Sequence, residues 1–289
     1  MKHRCLKPVL IGCGLLIVTA GCAFGQKHAL SEKEKIEKSF RLSAAENRQL
    51  VIDNINGEIN VVGYDGGTIE LVASREIRAE SKEKIEEAKQ EVKLEIKEEK
   101  NKIILYVDAP WQNRDGINYR GWHYYGYDVI YDFDLKVPHK MSLYLKTVNH
   151  GKVLVRGVEG EFEVSNVNAG IEMSDINGPA LVRTVNGPIK VSFTRNPGSE
   201  CSFKTVNGKI EVALHDGLNA DIKLKTFNGK VFTDFDVSSV PRDERTVEVR
   251  KGSRRIYRRG DFHTVRVGKG GPEFSFDTLN GSIYVLKHD

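Results

Sequence analysis

The chain has 289 residues, enough for one large or two small packed domains. It carries 44 Lys plus Arg against 40 Asp plus Glu, but three of those basic residues and no acid lie within residues 1–21, so the remainder balances at 41 against 40. A net charge of +1 excludes binding of polyanions through global charge, and one elongated domain is expected.

At the N-terminus, Lys2, Arg4 and Lys7 precede a short apolar run from Val9 to Val18 and then Thr19-Ala20-Gly21-Cys22. This reads as a bacterial lipoprotein signal over 1–21 with lipid on the Cys22 thiol, although Thr19 stands where leucine is usual. The alternative is an ordinary secretory signal cut after Ala23-Phe24-Gly25. Either leader sends the mature chain out of the cytoplasm. Ala23 carries no retention signal of the aspartate type, so a lipid anchor implies the outer membrane of a two-membrane cell, facing the periplasm or the surface. Cys5 and Cys13 leave with the signal, so Cys201, beside Phe203, stands alone as a buried structural thiol with no disulfide framework. Residues 22–39 are charged and read as a tether that stands the domain off the membrane.

A β-repeat domain is expected over 40–289. Strands are predicted at Phe40–Leu42, Gln49–Ile55, Glu58–Val62 and Thr68–Ile77, with Gly63 to Gly67 a turn between two of them. One helix is predicted from Ser81 to Gln90, capped by Ser81 and rich in Glu, Lys and Ala. Val92–Lys97 and Lys102–Val107 read as a hairpin. Residues 111–127 then gather both tryptophans and four of the ten tyrosines among Gly, Asn and Arg, with no strand or helix period. This aromatic loop either folds back over one end of the β stack or contacts a ligand. In the second case Trp111, Trp122, His123, Tyr124 and Tyr125 are the candidate contacts for an envelope glycan or a protein partner.

From Thr147 to Asp234 one phrase recurs: an apolar residue, Asn-Gly, any residue, then a branched apolar one. It appears at Val148-Asn149-His150-Gly151, Val167-Asn168-Ala169-Gly170, Ile176-Asn177-Gly178, Val185-Asn186-Gly187, Val206-Asn207-Gly208 and Phe227-Asn228-Gly229, with outliers at Ile55-Asn56-Gly57 and Leu279-Asn280-Gly281. Asn-Gly accepts φ > 0 cheaply and so suits a tight reversal or a sharp corner. The glycines of this region recur every 8 to 12 residues, room for one short strand per interval and no helix. Around Gly208, Phe203, Thr205, Ile210 and Val212 share one face, and Lys204, Lys209 and Glu211 the other. Asn207-Gly208 is then either a hairpin that opposes Thr205 to Ile210, or a solenoid corner with that apolar set inside.

The phrases Arg183-Thr184-Val185-Asn186-Gly187-Pro188-Ile189, Lys204-Thr205-Val206-Asn207-Gly208-Lys209-Ile210 and Asp277-Thr278-Leu279-Asn280-Gly281-Ser282-Ile283 resemble the putative-adhesin family of bacterial envelopes, whose fold is a toast-rack or β-solenoid-like domain. The resemblance runs from about Phe40 to Val285. It implies a repetitive β fold and an envelope location, and it implies no catalytic motif. The fold expected is therefore all-β, a β-solenoid-like stack of short strands with Asn-Gly turns and one helical insertion; a β-sandwich is the alternative.

Residues 250–260 concentrate Arg250, Lys251, Arg254, Arg255, Arg258 and Arg259. They read either as a solvated hairpin joining strands Thr246–Val249 and His263–Val267, or as an anionic-surface contact through Arg254, Arg255, Arg258 and Arg259. The scattered histidines hold no His-Glu-x-x-His motif, and neither a Gly-x-Ser-x-Gly elbow nor a phosphate loop occurs. Asp132 with Asp134, and Asp234 with Asp236, share a strand face as paired acids would, but read as solvent-facing positions. No metal or cofactor is called for, and nucleic acid is not an expected partner. The expected function is that of a non-catalytic envelope lipoprotein that binds or scaffolds; alternatives are an assembly or stress-sensing component and, behind it, a polysaccharide-acting enzyme.

Overall fold

The computed structural model describes residues 17–18, 30–42, 47–113, 116–117, 124–240, 247–251, 254–258 and 262–288. Most of the strands form two sheets of eleven strands each, and through the repeats the chain alternates between the two sheets. Eight coils, here called rungs, stack in this way. Rung 1 is Lys102–Asp108 with Tyr127–Pro138, rung 2 Gln49–Asp53 with Ile59–Tyr64, and rung 3 Ser142–Lys146 with Val153–Arg156. Rungs 4 to 6 are Phe162–Ser165 with Ile171–Ile176, Ala180–Arg183 with Ile189–Phe193, and Cys201–Lys204 with Ile210–Leu214. Rung 7 is Glu273–Thr278 with Ile283–Lys287, inserted ahead of rung 8, Ala220–Thr226 with Val231–Thr233. Neighbouring rungs pair in parallel throughout. Seven steps of about 4.8 Å make the stack about 34 Å long.

This is the solenoid arrangement, and it decides between the two readings of Asn207-Gly208. Thr205 does not oppose Ile210; Ile210 pairs with Ile189 and Ile283 in one sheet, while Phe203 pairs with Val182 and Phe276 in the other. Like residues therefore stack on like. Ile59, Val153, Ile171, Ile189, Ile210 and Ile283 form one column between the sheets, each no more than 2% exposed. Each such side chain contributes about 1.5–3 kcal/mol by leaving water.

In rungs 2 to 8 the corner after the first strand carries the recurrent phrase, and each of its residues has a separate task. The threonine is buried and donates to a carbonyl of the preceding rung: Thr147 Oγ1 to Gly57 O at 2.9 Å, Thr205 to Gly187 O at 2.9 Å, Thr278 to Gly208 O at 3.0 Å. The asparagine joins a ladder. Asn228 Nδ2 donates to Asn280 Oδ1 at 2.7 Å, and the series continues through Asn207, Asn186, Asn168 and Asn149 to Asn56 with bonds of 2.6–3.2 Å. Every amide is oriented the same way, and the last, Asn56, donates to the Asp128 carboxylate at 3.2 Å. The glycine is there for contact rather than for φ. A Cβ on Gly208 would lie 2.0 Å from Gly187 O, and one on Gly281 1.9 Å from Gly208 O. Of the corner glycines in the ladder only Gly57 has positive φ, so the expectation that Asn-Gly serves a left-handed turn is corrected. Ile176-Asn177-Gly178 also departs from expectation, because Asn177 bridges to Glu159 on the opposite corner and takes no part in the ladder.

Three further expectations change. Within 22–39, Leu30–Phe40 is an eleven-residue strand paired antiparallel with Ile69–Ala79, because Ile36 and Phe40 give that charged stretch an inner face; it extends the sheet and is no free tether. Residues 17–18 of the expected leader pair beside it, and Cys22 lies outside the described residues. His263–Val267 does not partner the strand before the basic run: it pairs with Ala220–Thr226 and Val237–Ser239, while Val247–Lys251 pairs with Arg254–Arg258 as a separate hairpin. The helix forms at Lys82–Glu91 with Ser81 as its N-cap, and Lys93–Glu99 pairs with Lys102–Asp108 as the sequence suggests.

Candidate functional site

The corner opposite the asparagine ladder carries a groove of about 380 Å³, lined by His139, Glu159, Asp175, Asn177, Thr194 and Arg195 among others. It spans the turns that close rungs 1, 3, 4 and 5. An 18-residue spacing separates rung 3 from rung 4, and it sets Asp175 on the position of Gly157. Gly157 has φ 66° and Asp175 φ 54°, so an aspartate occupies a left-handed position that its neighbour fills with glycine. Rung 5 lacks the extra residue, and the register breaks there between Met173 and Ile176. A left-handed non-glycine residue costs about 1–3 kcal/mol of strain, and both such residues and bulges gather at functional sites.

Around Asp175 the polar groups are held by one another. Arg195 Nη2 reaches Glu159 Oε1 at 2.9 Å, Arg156 Nε lies 3.8 Å from Asp175 Oδ2, and the Asp175 N–H donates to Ser192 Oγ at 3.3 Å. His139 Nδ1 sits 2.6 Å from Gly157 O, and its Nε2 3.4 Å from Asp65 Oδ1. Donors and acceptors thus alternate across an open groove, an array suited to hydroxyl groups rather than to a single ion. No cluster of three or more metal-ligating side chains occurs among the described residues. Sequence reading missed this site; the available signal was the aspartate aligned with glycine at the repeat spacing.

The aromatic loop falls at the ladder corner of rung 1, where it is placed in part. Trp111, Tyr125 and Tyr127 form a trio, with ring centroids 5.0 Å, 6.0 Å and 5.7 Å apart, packed against the core. Tyr127 donates to the Glu91 carboxylate of the helix, and burial first, then that bond, pushes its phenol above the ordinary value. Tyr124 is 56% exposed and donates to Glu80 at 2.8 Å. Trp122 and His123 lie outside the described residues.

The other candidates separate widely. Arg254, Arg255 and Arg258 lie on the detached hairpin, and Arg259 lies outside the described residues. Asp132 accepts the Glu58 N–H at 2.8 Å and Asp134 accepts Asn60 Nδ2 at 3.0 Å on rung 1, whereas Asp234 accepts the Lys287 N–H at 3.1 Å beside rung 8. The two acid pairs stand at opposite ends of the stack, about 34 Å apart, and cannot share a groove. Glu58 is held above the ordinary carboxylate range by burial, then by Asp132 and Asp134. Burial likewise pushes the Cys201 thiol up to about 11, where it is a poor nucleophile at neutral pH.

Fold and site together define an all-β solenoid with a polar groove on one corner. No protein-family model matches the chain, and no curated protein does. Among solved structures it is similar to a putative cell adhesion protein from Clostridium sporogenes, at 11% identity and TM-score 0.42, over 89% of this chain and 100% of that one. It is also similar to a putative adhesin from Bacteroides fragilis, at 9% identity and TM-score 0.34 over 88% and 97% of the two chains. A putative lipid binding protein from Parabacteroides distasonis follows at 11% identity and TM-score 0.25, over 89% and 97%. A likeness of this size assigns neither family nor ligand.

Proposed function

We propose that the protein is a non-catalytic envelope binding module whose solenoid presents the Asp175 groove to a polyhydroxylated ligand, an envelope saccharide. The observation that carries this reading is Asp175 itself: a side chain kept in a strained left-handed position, on a bulge, within the polar groove. Glycine fills the equivalent position one rung away, at Gly157. The solenoid supplies rigidity, since each rung buries its apolar face against its neighbours. The leader and Cys22 support a membrane-anchored, outward-facing placement, with residues 23–29 as what remains of the tether.

The reading is tested by titrating the soluble chain, residues 27–289, with envelope polysaccharide fractions by calorimetry and by tryptophan fluorescence in parallel. Groove binding gives saturable heat that Arg195→Gln and Asn177→Ala weaken, while the tryptophan emission, to which Trp111 contributes from the opposite corner, stays unchanged. A shift in emission lost on Trp122→Ala moves the site to the aromatic loop. No heat with any fraction contradicts a saccharide-binding role.

A further inference from the structure

The two ends of the solenoid are finished differently. Beyond rung 1 the helix caps the core with Ile85 and Ala88, and, once the expected leader with Ile17–Val18 is removed, the outer strands of the two sheets are heavily charged: Leu30–Phe40 carries Glu32, Lys33, Glu34, Lys35, Glu37 and Lys38, and Lys93–Glu99 is mostly Lys and Glu. Charged edges prevent a sheet from recruiting further strands. Beyond rung 8 the described edge strands lack this protection. The edge strands there, Val231–Thr233 and Val237–Ser239, contain no charged residue.

The core is also open at that end. Val231 pairs with Ile283 and so holds the core position of the isoleucine column, yet it is 40% exposed where the column members are at most 2% exposed. In the other sheet Val237 pairs with Val267, which is 4% exposed, and so also holds a core position, yet it is 46% exposed. Solenoids need a polar cap at each end to stay soluble.

The shape of the opening says what fits it. Past Ala220–Thr226, one sheet continues for two more strands, His263–Val267 and then Val237–Ser239; among the described residues the other sheet stops at Val231–Thr233. The end is therefore a step, two strands deep in one sheet and overhanging by two in the other. We propose that it is a self-association surface whose occupant is a second copy of this chain, turned about a twofold axis parallel to the strands and midway between the sheets. That rotation exchanges the two sheets, so each overhang enters the other copy's step. Val231–Thr233 then meets the partner's Val237–Ser239, once on each side of the axis, as an isologous contact requires.

Strand direction agrees. Val237–Ser239 is antiparallel to His263–Val267, which is antiparallel to Ala220–Thr226, so it runs with Ala220–Thr226 and opposite to Val231–Thr233. An axis along the strands keeps those directions, and the new pairing is antiparallel. A twofold perpendicular to the sheets, pairing Val231–Thr233 with itself, would drive the two overhangs into each other. A step about 10 Å wide and about 17 Å long, counted with its walls on both copies, covers on the order of 1,000 Å². That is the lower bound for a specific interface, so the dimer is reversible.

Sedimentation of the purified protein over a wide concentration range tests this. The expected result is a monomer–dimer equilibrium, abolished by Val237→Glu and by Val231→Lys while strand circular dichroism and melting stay those of the wild type. In a Cys201→Ser background, Val231→Cys protein mixed with Ser239→Cys protein should form a disulfide-linked pair, since the antiparallel pairing sets Val231 against the end of the partner's strand, and Val231→Cys protein alone should not. A monomer at every concentration, a dimer indifferent to both charged substitutions, or self-linkage of Val231→Cys protein overturns the proposal.

Discussion

Asn207 and Asn280 are 73 residues apart in sequence and share a side-chain amide hydrogen bond of 2.7 Å. The bond exists because rung 7, from the C-terminal end of the chain, slides between rungs 6 and 8 and restores the ladder that the intervening residues leave. Each such bond contributes about 0.5–1.5 kcal/mol net. Asn207→Ala removes two of them, to Asn186 and to Asn280, and should cost about 1–3 kcal/mol in urea unfolding. Asn207→Asp should cost more at pH 7 than at pH 3, since its carboxylate would face the Asn186 carbonyl oxygen without a proton to donate.

The corner glycines should divide by contact. Gly208→Ala drives a methyl to 2.0 Å from Gly187 O, and backbone cannot yield there; a loss above about 3 kcal/mol is expected, or failure to fold. Gly198 has nothing within 4 Å and no positive φ, so Gly198→Ala should change the melting temperature little.

Glu58 gives a pH-dependent prediction with a definite sign. Its carboxyl is raised by burial and by Asp132 and Asp134, so the folded state holds its proton more tightly than the unfolded chain. The stability this contributes is fully present below the unfolded value near 4.5 and is lost as pH rises through the raised folded value. Glu58→Gln should therefore raise the melting temperature at pH 7 and leave the difference from wild type smallest near pH 3. Equal shifts at both pH values would remove the electrostatic explanation.

Cys201 is the one thiol in residues 27–289, and it is 2% exposed with its ionisation pushed up. Thiol reagents at pH 8 should label it only as fast as the domain opens, so the labelling rate should rise with urea along the unfolding curve. Rapid labelling of the native protein would contradict the packing of rung 6.

Most of the fold is legible in the recurrent Asn-Gly phrase and the alternation around it, because both follow from local chemistry: an alternating strand needs one wet face, and a repeated corner needs repeated residues. The order of the rungs is not legible. Nothing local to Ile283 says that it pairs with Ile210 and Val231, a long-range choice made by the whole stack. The reason for the glycines was misread for the same cause, since Gly208 answers to Gly187 O on another rung rather than to its own φ. Leu30–Phe40 looks like a tether because its charges dominate its composition; only its partner Ile69–Ala79 gives Ile36 and Phe40 a face to occupy. The groove stayed hidden because Asp175 matters through its place in the repeat, opposite Gly157, and not through any motif around it.

Asp175→Gly tests the central claim most directly. Glycine takes the φ of 54° without the penalty an aspartate bears, and Gly157 already does so one rung away. If the strain is kept for binding, Asp175→Gly should melt at or above the wild-type temperature and lose saccharide binding in calorimetry by tenfold or more, about 1.4 kcal/mol. A variant that melts lower, or that binds as the wild type does, would show that Asp175 holds the corner together and that the groove is not where this protein meets its ligand.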